Sequence, residues 1–195
     1  NLADFIDIFC ETGYFDLDDL KQIIEAGDKF GLKAKVHVNQ FSSFGAVKLA
    51  CSYGALSVDH LEVMKEEDYT ALEHSNTLAT ALPLCSLFLD IPYTPAKELI
   101  KRNIPIVLAS DFNPGSAPSS NLSLAFALAC SQMKLTPEEA FNALTYNAAF
   151  AMNIQDEVGS IQIGKKANLI ITKPANGLEE IPYWFGENMI SSVIV

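Results

Sequence analysis

Histidine, carboxylate and amide side chains recur at matching places in this sequence. His37 and Gln40 follow the run Lys35-Val36-His37-Val38, Asp59 and His60 close the run that starts at Leu56, and Asp111 with Asn113 follows an almost wholly apolar run ending at Ser110. Cys10 and Glu11 close another such run, and Cys85 lies just after a fourth. Two imidazoles and a carboxylate on one rim suit a divalent or trivalent metal, since both ligand types coordinate one while water fills an open position. Either histidine alone reads more plainly as a hydrogen-bonded core residue. Two of the three histidines at successive strand ends bring the readings level, and His74, at the end of a polar helix, reads as solvated. Asn113-Pro114-Gly115 is also an everyday turn. Asp111 stands out because it ends an apolar strand, where a lone charge is costly unless a metal or a donor meets it.

A rim needs elements that deliver these residues to one edge. Short β-rich runs at residues 5–10, 33–38, 56–60, 77–82 and 104–110 alternate with helical patterns, as in βαβ units. The first helix begins at Asp16, a suitable N-cap, with Leu17, Leu20, Ile24 and Gly27 at helical spacing and Gly31 as its stop. Further helices are predicted over 43–53 and 66–74, from the Thr94-Pro95 cap to about Arg102, and over 120–133 and 137–152. Thr136-Pro137-Glu138-Glu139 has the form of a capping box. Beyond about Gln155 the texture changes to Gly159, Gly164, Gly177 and Gly186 with β runs at 168–172 and 192–195. The expected division is therefore 1–155 and 156–195. In parallel α/β folds the site forms on the loops after the strands' C-terminal ends, where the residues named above fall.

Composition bounds the partners. With 13 Lys+Arg against 24 Asp+Glu, the net charge of -11 argues against nucleic acid or an anionic membrane surface. A hydrophobic fraction of 49% excludes disorder, and no apolar run approaches the length of a membrane span. Cys10, Cys51, Cys85 and Cys130 are widely spaced in apolar segments and read as reduced thiols of a cytoplasmic protein. The acidic pairs Glu66-Glu67 and Glu179-Glu180 read as solvated charges.

Four segments together are similar to a known family. Residues 35–41 (KVHVNQF), 55–61 (ALSVDHL) and 109–116 (ASDFNPGS), with 181–186 (IPYWFG), resemble the imidazolonepropionases of the amidohydrolase superfamily. Residues 158–170 resemble the superfamily's return into its small β-sandwich. The resemblance implies an α/β fold holding the C-terminal part of a (β/α)8 TIM-type barrel, about strands four to eight, in 1–155, and part of the β-sandwich in 156–195. It implies hydrolysis of the cyclic amide 4-imidazolone-5-propanoate to N-formimidoyl-L-glutamate in histidine degradation, with one iron or zinc ion. Under it His37 and Asp111 match metal ligands, His60 lines the substrate and the attacking water, and Asn113, Gly115 and Ser116 form a substrate-contacting loop. A homodimer in the cytoplasm is implied as well.

Two departures from the family pattern matter. Gln40 stands where the motif places an acid, and an amide orients a substrate but takes no proton as a base, so catalytic proton transfer is expected to fall to His60 or Asp111. The family's His-x-His ligand pair and its arginine for the propionate have no counterpart here. A barrel of this kind needs eight strands and about 250 residues. With five units, no initiator Met and half a metal site, the chain is expected to be the C-terminal portion of a longer protein and inactive alone. The alternatives are another metal-dependent cyclic amidohydrolase or deaminase, kept open by Gln40, and a non-catalytic α/β ligand-binding domain.

Overall fold

The computed structural model describes residues 2–195. In chain order the elements are β1 (Phe5–Ile6), β2 (Phe9–Cys10), α1 (Leu17–Asp28), β3 (Lys33–Val38), α2 (Ala46–Ser52), β4 (Ser57–His60), α3 (Glu66–Glu73), β5 (Leu78–Ala81), α4 (Pro83–Leu89), α5 (Ala96–Lys101), β6 (Ile106–Leu108), α6 (Leu122–Ser131), α7 (Pro137–Leu144), α8 (Tyr146–Ala151), β7 (Leu169–Thr172), α9 (Glu180–Tyr183) and β8 (Ile190–Ile194). The large sheet has the order β1-β3-β4-β5-β6, with β2 also on β3. The pairs of β3 with β1, β2 and β4, and of β4 with β5, are parallel, as the alternating pattern predicts. The chain forms two compact units, one of residues up to Ala81 with Ile91–Ile106, the other of Leu82–Asp90 with Val107–Val195.

In the first unit, strand β3 shows why a histidine ends up on a functional face. Its residues alternate in burial: Ala34, Val36 and Val38 are buried, while Lys35 and His37 are on the other, less covered face. The register sets His37 beside Asp59 and Asp59 beside Thr80. Helix α1 starts where predicted, because the Asp16 side chain accepts from the N–H groups of Asp18 and Asp19 while Asp19 accepts from that of Asp16. Leu20, Ile24 and Gly27 are its buried face. A Cβ on Gly27 would lie 2.6 Å from Ile6 Cγ2, so only glycine lets the helix approach β1 this closely.

Several boundaries differ from the sequence expectation. The first run is interrupted at Asp7-Ile8, leaving β1 and β2 in one common register on β3. Thr94 does not cap α5: Pro95 is the cap residue, and the Thr94 hydroxyl instead donates to the carbonyl of His60 at 2.6 Å. The run at 104–110 pairs only over Ile106–Leu108. Helix α4 was not expected; it starts with Pro83 at its first turn, where the missing N–H costs nothing. The helix predicted over 137–152 breaks at Thr145 into α7 and α8, and Asn121 caps α6.

In the second unit, Leu82, Leu84, Cys85, Ala117, Ala125 and Leu128 form an apolar core around α4 and α6. The Thr136 capping box of α7 is as predicted, with Glu139 reaching back to the Thr136 N–H. Strands β7 and β8 pair antiparallel in a separate two-stranded sheet with Ile170, Ile171, Val193 and Ile194 all exposed. No helix among the described residues is long and apolar enough to cross a membrane.

Candidate metal centre and active site

His37 and His60 come together at the C-terminal ends of the adjacent strands β3 and β4. Their ring centroids are 5.4 Å apart and a ligating nitrogen of each lies within 4.8 Å of the other's. Strict alternation would separate them, since His60 is in register with Val38 and not with His37. The backbone leaves the strand at that point: φ is 88° at His60 and 65° at Leu61. Such values are costly outside glycine and persist only where surroundings enforce them. The Thr94 hydroxyl on the His60 carbonyl is part of that enforcement.

Each imidazole has a carboxylate behind it. Asp7 Oδ1 lies 2.8 Å from His37 Nδ1. With Asp7 ionised, Nδ1 carries the proton and Nε2 the lone pair that a metal takes, the usual arrangement behind metal-binding histidines. Glu62 Oε1 lies 3.5 Å from His60 Nδ1, and both side chains are buried. Phe9 places its ring 6.4 Å from each imidazole. On the same sheet face Lys35 Nζ donates to Ser57 Oγ, which donates to Asp59 Oδ1, both at 2.8 Å. Asp59 is thus part of a polar chain beside the histidines.

Gln40 is buried in the loop after β3, between Asn39, with φ of 56°, and the half-exposed Phe41. Glu11, at the end of β2, is almost wholly buried beside that loop. Burial by itself would push its carboxyl up. The Phe41 N–H, the Ser42 hydroxyl and the N–H groups of Thr12 and Ser42 outweigh this and hold it below the ordinary carboxylate range.

In the second unit, Asp111 follows β6 with φ of 54°. Asn113 organises the loop behind it. Its amide group donates to Asp111 O at 2.7 Å and Ser116 Oγ at 2.9 Å, and its Oδ1 accepts from the N–H groups of Gly115 and Ser116, both at 2.8 Å. Ser116 Oγ also donates to Asp111 Oδ2 at 3.4 Å. Asn113 therefore shapes the loop with both ends of its amide, and Gly115 and Ser116 are presented by it.

Residues left as bystanders by sequence mostly stay so. All four cysteines are free. Burial, then Asp16, Glu11 and Asp19, push the Cys10 thiol up to about 12, and burial with Glu138 and Glu139 takes Cys130 to about 11. Neither is a thiolate at neutral pH. His74 lies at the helix end with Nδ1 3.1 Å from Thr70 O. Glu66 is solvated as expected, its side chain 74% exposed, and both its oxygens also accept from Arg102, at 2.7 and 2.9 Å. Asp7, Glu62 and Asp68 are not singled out by sequence, and Thr94 is read there only as a helix cap. Asp7 lies inside an apolar strand run, and only its place beside His37 gives it meaning.

Residues 12–195 match the model of the amidohydrolase family, and the chain belongs to that family. Solved structures share the fold: a zinc-bound adenosine deaminase from Xanthomonas campestris superposes with a TM-score of 0.77 at 16% identity over 91% of this chain and 47% of that one. Ochratoxinase of A. niger does so with a TM-score of 0.77 at 22% identity, over 98% of this chain and 49% of that one. Within the family the similarity is to imidazolonepropionases. That of Flavobacterium johnsoniae is 55% identical over 100% of this chain and 47% of its own length. The Christiangramia forsetii protein is 53% identical over the same shares, and that of Thermoanaerobacter pseudethanolicus 39% over 100% and 46%. The chain thus spans about half the length of the curated relatives it matches.

Proposed function

We propose that this chain is the C-terminal part of an imidazolonepropionase, which hydrolyses 4-imidazolone-5-propanoate to N-formimidoyl-L-glutamate. The observation that carries the reading is the facing His37–His60 pair at adjacent strand ends, in a chain 55% identical along its length to a protein of that name. Residues 1–155 then supply about strands four to eight of a (β/α)8 barrel and 156–195 part of a β-sandwich. The four free thiols suit a reducing compartment, and we place the protein in the cytoplasm.

His37, oriented by Asp7, and Asp111 are the residues that would hold one iron or zinc ion, and imidazole with carboxylate fits either. Bound there, the metal supplies Lewis acidity toward the ring carbonyl and a lowered pKa for water. The chain's own groups do the rest. His60, buried with Glu62 behind it, takes a proton from the attacking water and returns it to the ring nitrogen as the C–N bond breaks. Gln40 orients the ring by hydrogen bonds, and the Asn113-shaped loop presents Gly115 and Ser116 to the substrate.

The test uses the whole encoded protein, with metal content and imidazolonepropionate turnover measured together. Expected are about one metal per chain, turnover, and loss of both in His37→Ala. Stoichiometric metal and full activity in the 195-residue chain alone would overturn the partial-protein reading. Gln40 favours a second reading, hydrolysis or deamination of a different ring amide or amidine. Inactivity on imidazolonepropionate with activity elsewhere in a ring-amide panel would establish it.

A further inference from the structure

The loop that carries Gln40 is gripped by two buried carboxylates, one from each side. From β2, Glu11 Oε2 accepts from the N–H groups of Phe41 at 2.9 Å and Ser42 at 3.3 Å, while Oε1 accepts from the Thr12 N–H at 2.8 Å and from the Ser42 hydroxyl. From α3, Asp68 Oδ2 accepts from Asn39 Nδ2 at 3.0 Å, Ser43 Oγ at 2.7 Å and the Lys65 N–H at 2.9 Å. Asn39 also exchanges two bonds with the backbone of Val63, both of 2.9 Å, and Lys65 Nζ donates to Ser43 O. Every residue flanking Gln40 in 39–43 is thereby held, on its backbone or its side chain.

We infer that Glu11 and Asp68 are positioning residues that fix the loop carrying Gln40, three residues after His37, so that its amide meets the substrate in one orientation. The inference rests on the proposed function. Glu11 is 1% and Asp68 0% exposed, and burying two carboxylates is a poor route to stability. The cost is visible in Asp68 Oδ1 and Asn39 Oδ1, both buried without a hydrogen-bond partner. What the two carboxylates share is the one loop. An amide that cannot move a proton acts by geometry alone, and displacements near 1 Å can cost about 10²-fold in rate. A residue of that kind needs a clamp more than a catalytic acid does.

The experiment is a double-mutant cycle in the whole protein: Glu11→Gln and Asp68→Asn, each alone and with Gln40→Ala, reading kcat and KM on whichever ring amide the wild type hydrolyses, with metal content alongside. Each single variant is expected to lower kcat about 10- to 10²-fold with metal retained. In the Gln40→Ala background the same changes should move kcat less than about twofold. Equal losses in both backgrounds would overturn the inference, whereas wild-type inactivity on imidazolonepropionate would overturn only the assignment of substrate. If a charge-removing variant does not fold, Ser43→Ala, which takes one donor from Asp68, replaces it. Amide hydrogen exchange at Phe41 and Ser42 gives a readout apart from turnover: faster exchange in the folded Glu11→Gln protein is expected, and unchanged exchange refutes the clamp.

Discussion

On the proposed function His37 presents Nε2 to a metal, which requires that its ring be held, and Asp7 lies 2.8 Å from its Nδ1. Asp7→Ala is therefore expected to weaken metal binding about 10- to 100-fold in the whole protein while leaving the fold intact, as measured by chelator competition. Unchanged affinity would show that the contact has no part in ligation. A second residue-scale expectation concerns Cys10, buried with its thiol pushed up to about 12. Iodoacetamide at pH 8 should leave it unmodified in the folded protein and label it on unfolding, read by mass spectrometry. At this scale the sequence shows residue types and strand ends, and so His37, Gln40, His60 and Asp111 are legible. Asp7 and Glu62 are not, because what matters about them is the ring each lies behind, and no spacing along the chain reports that. The ring of His60 reaches His37 only through positive φ at 60 and 61, which period-two alternation cannot foresee.

Helices and strands with strong local signals are read correctly. Asp16 and Thr136 cap α1 and α7 because both boxes close within four residues, so sequence contains the whole interaction. Thr94 fails as a cap since its hydroxyl is taken by His60, 34 residues earlier. Helix α4 was hidden by an apolar run with no helical period. Two predictions belong to this scale. Gly27→Ala drives a methyl against Ile6 and should destabilise by about 1–3 kcal/mol in urea unfolding; no change would mean α1 shifts freely. Glu11, held below its ordinary range, binds fewer protons folded than unfolded. Its contribution is present above the unfolded value of about 4.3 and fades as pH falls through the lower folded value. Wild type should lose more stability than Glu11→Gln on going from pH 6 to pH 3, and parallel curves would contradict this.

The whole molecule is where the amino-acid sequence and the structure meet the half-length coverage of the relatives. Strands β7 and β8 make a two-stranded sheet in which Ile170 is 62% and Val193 58% exposed. An isolated pair of strands is marginal in water, and contiguous exposed apolar residues mark a surface that something covers. On the proposed function that cover is the rest of the β-sandwich, from the part of the protein that this chain lacks. Hydrogen exchange should then show the amides of Ile170, Ile171 and Val193 poorly protected in the 195-residue chain and strongly protected in the whole protein. Core strands such as β3 should be protected in both, because Val36 and Val38 are fully buried within this chain. Equal protection of β7 and β8 in the two proteins would mean that the hairpin is stable by its own contacts, and the sandwich assignment of residues 156–195 would fall with it.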